Sequence, residues 1–307
     1  MEIFLQQIIN GLVQGSVYAL VALGYTMVYG ILGLINFAHG EVVMVGAMLA
    51  LSLLTALLSW GVPPILALPL SVGLAMAGCI ALGYSIERIA YRPLRHAPRL
   101  APLITAIGVS IVLQNLAMMI WGRQYHSFPP IFNSSSHVIG GAIINDIQIA
   151  IIILAVLIMA GLMMVVHRTR LGRAMRAVAE NQHAAQLMGV DVNRVISVTF
   201  MLGSALAAIA GLMVSANYGL AHYYMGFLLG LKAFTAAVLG GIGNLRGAMV
   251  GGLLLGLIES LGTGYIGDFT GGFLGSNYQD VFAFFVLIAV LVFRPSGLLG
   301  ERLAERA

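Results

Sequence analysis

Twenty residues in the middle of the chain, IQIAIIILAVLIMAGLMMVV (Ile147–Val166), contain no charged side chain. A helix of about 20 residues is long enough to cross the hydrocarbon core of a bilayer. A transmembrane β-barrel would instead alternate apolar and polar residues over strands of about 10 residues. A second apolar run, Val281–Phe293, also lacks that alternation. Both runs therefore predict transmembrane helices, because a helix satisfies its own backbone hydrogen bonds inside lipid.

The composition extends this prediction to the whole chain. Of the 307 residues, 60% are hydrophobic and 8% are charged, whereas soluble domains carry about 25% charged residues. The net charge of +4 is explained by arginine in loops, so no nucleic-acid binding is expected. The single cysteine, Cys79, lies in an apolar run and cannot form an internal disulfide. The predicted fold class is all-α, a polytopic transmembrane helix bundle in the lipid bilayer, with one domain over residues 1–307.

Arginine placement predicts the orientation of the bundle, because cytoplasmic loops collect Lys and Arg. The three predicted cytoplasmic clusters are Arg88, Arg92, Arg95 and Arg99; Arg168, Arg170, Arg173, Arg176 and Arg194; and Arg294, Arg302 and Arg306. The polar segment 122–146 is the predicted external loop. The N-terminus lacks Lys and Arg, so we expect it outside and the C-terminus inside.

Nine apolar segments fit this orientation: Leu5–Tyr29, Glu41–Trp60, Ile65–Arg88, Pro102–Trp121, Ile147–Val166, Val195–Asn217, Phe227–Gly240, Gly247–Leu261 and Val281–Phe293. The stretch Leu239–Asn244 is too rich in glycine for a steady helix. A broken helix there would offer free backbone groups to a solute. Re-entrant glycine-rich segments are the alternative, so about eight or nine helices are expected. Glycines four residues apart between Gly243 and Gly256 predict close helix packing.

Ionisable side chains in apolar segments are the first candidate functional residues. A charge at the bilayer centre costs about 2.5–3.5 kcal/mol on insertion scales, so it requires a partner or a water-filled cavity. The candidates are His39, Glu41, Lys232, which is the only lysine, and Glu259. We interpret Glu259 as the candidate partner of Lys232. The alternative for His39 and Glu41 is a helix-end position, from which they would reach the membrane surface.

The segment 168–194 is long for a simple cytoplasmic turn and is rich in helix-forming residues. A short helix with an alanine face there could dock on another protein. The alternative is a solvated helix that only marks the topology.

Motifs for catalysis and nucleotide binding are absent. A Walker A loop requires Gly-Lys followed by Ser or Thr, but Lys232 lies between Leu231 and Ala233. No HExxH, no zinc-type Cys/His cluster and no GxSxG elbow is present. We therefore expect no catalytic residue, metal site or cofactor in this chain, and an intramembrane enzyme is a disfavoured alternative.

Several ordered stretches resemble the LivH-type permeases, the membrane subunits of branched-chain amino-acid ABC importers. These stretches are YTMVYG (Tyr25–Gly30), INFAHGE (Ile35–Glu41), SIER (Ser85–Arg88), YRP (Tyr91–Pro93) and KAFTAAVLGGIG (Lys232–Gly243). The resemblance implies ATP-driven import of leucine, isoleucine or valine by alternating access across a bacterial inner membrane. It also implies four partner subunits: a second homologous permease, two ATP-binding subunits and a periplasmic binding protein. The residues expected near the translocation path, or locking helices around it, are Asn36, His39, Glu41, Lys232 and Glu259.

The resemblance also gives the segment 168–194 a role as the coupling loop. ABC importer permeases carry a loose EAA-x-x-x-G pattern there, which Ala184–Gly189 fits except that His183 replaces the glutamate. Glu180, one turn earlier, is the candidate substitute. The residues expected to contact the ATPase are Arg170, Arg173, Glu180, Ala184, Ala185 and Gly189.

Two alternatives to this function remain. Within the family, the solute could be urea, an amide or another amino acid. Outside it, the chain could be a standalone secondary carrier or channel that follows an ion gradient.

Overall fold

Eleven α-helices make up most of the described part of the chain, which covers residues 2–95, 97–98, 100–130, 135–271 and 278–300 of a computed structural model. They are α1 (Glu2–Leu32), α2 (His39–Ser59), α3 (Pro64–Ile86), α4 (Leu100–Trp121), α5 (Asp146–Arg168), α6 (Arg170–Glu180), α7 (Gln182–Leu187), α8 (Val192–Tyr218), α9 (Met225–Gly240), α10 (Leu245–Phe269) and α11 (Gln279–Phe293). The predicted cytoplasmic residues Arg99, Arg302 and Arg306 lie outside the described residues, as does part of the predicted external loop, 131–134.

Seven of these helices, α1 to α5, α8 and α10, are long and apolar enough to cross a membrane. The helices α9 and α11 are also apolar but shorter, with 16 and 15 residues. Each predicted apolar segment corresponds to one of these nine described helices. The prediction of an all-α, multi-pass membrane protein is confirmed, and the helix lengths allow seven to nine crossings.

Helix ends follow local sequence signals. The side chains of Thr169, Asp191 and Asn244 accept backbone hydrogen bonds at the starts of α6, α8 and α10. Such caps satisfy N–H groups that the first helical turn leaves free. Pro64 begins α3, where a missing N–H group costs nothing. Gly219 ends α8 with a φ of 70°, a left-handed conformation that glycine adopts without steric strain.

A π-helical segment, Glu87–Tyr91, continues α3 and is followed by a 3₁₀ turn at Arg92–Leu94. The sequence predicted an ordinary helix that ends at Arg88. Wider π turns occur mostly as single insertions and frequently at functional sites.

Short strands lie in the predicted external loop and close to α8. Strand β1 (His126–Ser127) pairs with β4 (Leu220–Ala221), and β2 (Ser136–Ile139) pairs with β3 (Ala142–Asn145), both antiparallel. Gly140 and Gly141 connect β2 to β3 with φ values of 59° and 87°. Two consecutive positive φ angles favour glycine and suit the twist of a two-residue hairpin. The sequence did not predict these strands.

The Cα positions divide the chain into two compact units. Unit 1 comprises Met1–Thr26, Ser134–Ala160 and Lys232–Ala307, and unit 2 comprises Met27–Asn133 and Gly161–Leu231. The helices α1, α5 and α9 each contribute to both units. The single domain over 1–307 stays a prediction.

Small residues bring helices together in unit 2, whose core consists of α2, α3 and α8. A Cβ atom added to Gly46 of α2 would lie 2.5 Å from the Cα of Ala208 in α8. One added to Gly83 of α3 would overlap the side chain of Ser204, also in α8. Small residues at helix contacts let the backbones approach closely, which provides van der Waals contact inside a membrane.

The glycine repeat of α10 serves the same purpose in unit 1. Gly247 and Gly251 face the end of α9, whereas Gly252 and Gly256 face α1 around Gly15. The predicted close packing is confirmed, and the repeat serves two different helix contacts.

Candidate functional site

A buried ion cluster joins three helices of unit 1. Lys232 of α9 donates a hydrogen bond to Glu259 of α10, which is fully buried. The same ammonium group lies 2.6 Å from Asp280 Oδ1 at the start of α11. It also lies 5.9 Å from the ring centroid of Tyr18, within the range of a cation–π contact.

The structure thus brings Lys232 together with the partner suggested by the sequence, and adds a third member. The side chain of Asp280 is 43% exposed, and this residue directly precedes the apolar run Val281–Phe293 that predicted α11. The sequence cannot show which helix starts lie beside Lys232. One cation therefore serves two carboxylates, and Glu259 Oε2 has no hydrogen-bond partner among the described residues.

A second polar cluster connects α2 to α4 in unit 2. Glu41 Oε1 accepts hydrogen bonds from Ser110 Oγ at 3.1 Å and from Gln114 Nε2 at 2.6 Å. The other carboxylate oxygen, Oε2, has no hydrogen-bond partner among the described residues. It faces Gly226, where an added Cβ atom would lie 2.8 Å away. Glu41 is only 1% exposed, so it contributes to helix contacts inside the unit.

Asn36 and His39 lie just before and at the start of α2, close in sequence to Glu41, and both are buried. The hydroxyl of Tyr91 donates a hydrogen bond to Asn36 Oδ1 at 2.9 Å. His39 and Glu41 lie in the first turn of α2, the helix-end position of the alternative, and both side chains are buried within the protein. The structure places Asn36, His39 and Glu41 in unit 2, and Lys232 and Glu259 in unit 1.

A third polar cluster, which the sequence did not predict, lies around Glu87 of the π-helical segment. Glu87 is fully buried and forms ion pairs with Arg92, at 3.1 Å, and with Arg95. Ser197 of α8 donates to Glu87 Oε2 at 2.6 Å. Burial lowers the pKa of the Arg95 guanidinium from its ordinary value, and the Glu87 carboxylate opposes that shift. Arginine nevertheless stays charged in proteins, so the ion pair persists.

Two short helices form the predicted coupling loop. Helix α6 turns Gly172, Met175 and Val178 inward, whereas Ala177 and Ala179 are exposed. Gln182 Nε2, in α7, donates a hydrogen bond to the carbonyl oxygen of Ile31 at 2.8 Å. Gly189 follows α7 with a φ of 83°.

The predicted ATPase-contact residues differ in exposure. Ala185 is buried. The others are exposed: Arg170, Arg173, Glu180, Ala184 and Gly189.

The glycine-rich turn between α9 and α10 does break the helix, as predicted, with Gly241 and Gly243 at φ values of 107° and 95°. Two of its carbonyl groups are occupied, however. Leu298 N–H donates to the carbonyl of Leu239 at 2.8 Å, and Leu299 N–H donates to that of Gly240 at 2.9 Å. The expectation that this turn offers those carbonyls to a solute is therefore wrong, because the segment after α11 occupies them.

Known proteins match nearly the whole length of this chain. The model of a family described as branched-chain amino acid transport system / permease component matches residues 7–291. The chain is 48% identical to the high-affinity branched-chain amino acid transport system permease protein BraD of Pseudomonas aeruginosa, over 99% of this chain and 98% of that protein. It is 45% identical to the corresponding permease protein LivH of Escherichia coli, over 99% and 97%.

A more distant relative is the ribose import permease protein RbsC of Escherichia coli, with 27% identity over 94% of this chain and 85% of that protein. The full-length matches and the multi-pass helical fold point to the same group. This chain belongs to the family of branched-chain amino acid transport system permease components.

Proposed function

We propose that the chain is the membrane-spanning permease subunit of an ATP-driven importer that moves leucine, isoleucine and valine into the cytoplasm. The observation that carries this proposal is the match, over 99% of this chain, to permease proteins of high-affinity branched-chain amino acid transport systems. The buried ion clusters support it, because ionisable groups inside a membrane mark solute paths or paired helix contacts. The solute undergoes no chemical step, and the chain itself holds no cofactor.

The proposed mechanism is alternating access, in which the helices open the solute path to one side of the membrane at a time. We assign each of the buried polar residues one of two roles: it lines the solute path, or it locks the helices around that path. The assigned residues are Asn36, His39, Glu41, Lys232 and Glu259. Support comes from their burial and from the pairing of Lys232 with carboxylates, which avoids a bare charge in lipid.

The coupling loop, residues 168–194, is the proposed contact with the ATP-binding subunits. It exposes Arg173 and Glu180 on α6, and the large apolar side chains of Leu187 and Met188, which are 76% and 85% exposed. An exposed apolar pair rimmed by charge is typical of a protein contact.

The proposed assembly contains a second homologous permease, two ATP-binding subunits and a periplasmic binding protein. It lies in a bacterial inner membrane, with this chain's N-terminus outside and its C-terminus in the cytoplasm.

Uptake of labelled leucine tests the transport proposal. A strain that lacks this gene should take up less leucine, and restoring the gene should recover uptake. Equal uptake in the three strains, with the other leucine carriers deleted, would contradict the proposal.

Loop variants test the coupling proposal. Arg173→Ala and Glu180→Ala should lower the leucine taken up per ATP hydrolysed, because they remove charged contacts at the surface of the ATPase. The control is Asn115→Ala, at an exposed position of α4. Unchanged assembly and an unchanged uptake-to-hydrolysis ratio in both loop variants would count against docking through this loop.

A different solute within the family is the second candidate. It is favoured by the similarity, at 27% identity, to a ribose import permease. Competition of leucine uptake by urea, amides and other amino acids distinguishes the two. A standalone carrier would instead purify without ATP-binding subunits and would follow an ion gradient.

A further inference from the structure

The π-helical segment Glu87–Tyr91 has contacts on two sides, all within unit 2. One set reaches the first turns of α8, directly after the coupling loop. The other reaches the segment that precedes α2. A π turn places its side chains differently from an α-helical turn, and such turns are frequent at functional sites.

Two residues of α8 make the contacts on the loop side. Asn193 Oδ1 accepts a hydrogen bond from Arg95 Nη1 at 2.5 Å. Ser197 Oγ accepts one from Arg92 Nη2 at 2.9 Å and donates one to Glu87 Oε2. The first turns of α8 are therefore attached to the π-helical segment by side chains of both arginines and of Glu87.

The burial of Glu87 makes this attachment stiff. Its side chain is fully buried, and both of its oxygens are paired with guanidinium groups. Removing one partner of a buried ion pair leaves an uncompensated charge, which is strongly unfavourable. A displacement of the first turns of α8 must therefore carry this ion cluster with it or break the hydrogen bonds at Asn193 and Ser197.

Tyr91 makes the contact with the segment before α2 and also contacts α8, at Phe200. Its ring packs against Phe200 with the centroids 5.3 Å apart, and its hydroxyl donates to Asn36 Oδ1 at 2.9 Å. Asn36 begins the backbone turn that leads into α2, where His39 N–H donates to the Asn36 carbonyl at 3.0 Å. Contacts thus continue from the coupling loop to the residues around Glu41.

We propose that the segment Glu87–Tyr91 transmits displacements of the coupling loop to the segment Asn36–Glu41. Its residues act as positioning residues, through their contacts with α8 and with Asn36. The proposal rests on the proposed function, in which the loop responds to the ATP-binding subunits and the start of α2 belongs to the translocation machinery.

Hydrogen exchange in the full chain, held in lipid nanodiscs, tests this transmission without any solute. The reporters are the amides of His39, Glu41 and Val42, which are bonded to Asn36 or Ala38 carbonyls. Asn193→Ala, on the loop side, should accelerate their exchange roughly fivefold, the effect of about one net hydrogen bond. Tyr91→Phe should do the same.

Two controls match these variants. Asn115→Ala removes an exposed amide that bonds only within α4, and Tyr224→Phe removes an exposed hydroxyl. Neither should change exchange at residues 39–42. If the exchange rate at residues 39–42 is the same in Asn193→Ala as in the unsubstituted chain, the proposal is overturned.

A double-variant cycle in the reconstituted importer gives the functional test. Tyr91→Phe and Asn193→Ala should each lower leucine uptake per ATP hydrolysed. The loss in the double variant should be smaller than the sum of the two single losses. Substitutions without shared partners normally add, so additive losses would overturn the link. If the unsubstituted importer takes up no branched-chain amino acid, the proposed function fails, and hydrogen exchange still decides the transmission.

Discussion

Lys232 shares one ammonium group between Glu259 and Asp280, and the two carboxylates differ in environment. Glu259 is fully buried, whereas Asp280 is 43% exposed. Two charges that leave water need good mutual contacts to offset the cost of their desolvation. The pair with Glu259 is therefore the contact on which the cluster depends, and Asp280 is an auxiliary partner.

Replacing Lys232 by methionine, a side chain of similar length, tests this ranking. Lys232→Met leaves Glu259 buried without its cation, and such losses cost about 3–5 kcal/mol. We expect a lower thermal unfolding midpoint in detergent and less leucine uptake at equal membrane level. Asp280→Asn should change stability by less than about 1 kcal/mol, since the Asp280 side chain is itself 43% exposed and its ion pair is partly solvated.

The double variant Lys232→Met with Glu259→Gln is the matched control. It leaves no buried carboxylate without its cation, and the Asp280 carboxylate that loses Lys232 is partly exposed, so most of the lost stability should return. A double variant as unstable as the sum of its single changes would show that the pair does not act as a unit.

The sequence could predict some of these residues because charge in an apolar run is conspicuous. Lys232, Glu259, His39 and Glu41 were found in that way. Apart from Glu259, the partners that neighbouring helices supply could not be predicted. Ser110, Gln114 and Asp280 are ordinary polar residues until the packing of the helices brings them beside a buried charge.

At the scale of elements, hydropathy was sufficient to place the long helices, because lipid admits few backbone structures. It was not sufficient for the π turn at Glu87–Tyr91 or for the hairpin of β2 and β3. A π turn differs from an α turn in hydrogen bonding and not in side-chain polarity. Strands of four residues are too short to show a clear alternation.

The contact between α2 and α8 gives a prediction with a control inside the same unit. Gly46→Ala places a methyl group 2.5 Å from the Ala208 Cα, and overpacking costs about 1–3 kcal/mol. Gly73→Ala in α3 meets nothing within 4 Å and should stabilise its helix by about 0.5–1 kcal/mol. Thermal unfolding of both variants measures the difference, and equal midpoints would contradict the close approach.

Asn244 gives a second prediction for an element. Its side chain caps α10 by accepting from Gly247 N–H and donates to the Leu299 carbonyl at 2.7 Å. Asn244→Ala should cost about 0.5–2 kcal/mol and should speed proteolysis after Arg294. Asn115→Ala, which loses only a bond within its own helix, is the comparison. Equal cleavage rates in the two variants would argue against the contact with Leu299.

At the scale of the whole molecule, the orientation can be tested because Cys79, the only cysteine, is fully buried. In a Cys79→Ala background, Val138→Cys lies in the β2–β3 hairpin at a position that is 71% exposed. It should react with an impermeant maleimide in intact cells. Met188→Cys, at an 85% exposed position of the coupling loop, should react only after permeabilisation. The opposite labelling pattern would reverse the predicted topology.

The identity of the solute and the division into two units lie beyond what one sequence can indicate. The side chains of branched-chain amino acids are aliphatic, so a site distinguishes them from other amino acids by shape and without a distinctive polar motif. Each unit combines segments far apart in the chain, such as Met1–Thr26 with Lys232–Ala307. Hydropathy describes each segment alone and carries no information about that pairing.

The closure of the α9–α10 turn has a consequence for biogenesis. The partners of the Leu239 and Gly240 carbonyls are Leu298 and Leu299, which leave the ribosome long after the turn itself. Until these partners are synthesised, the two carbonyls stay hydrated, in the translocon or at the membrane surface. A nascent chain arrested before residue 298 would therefore insert its apolar helices but would leave the turn without these partners. Membrane quality-control proteases can recognise an incomplete subunit by a defect of this kind.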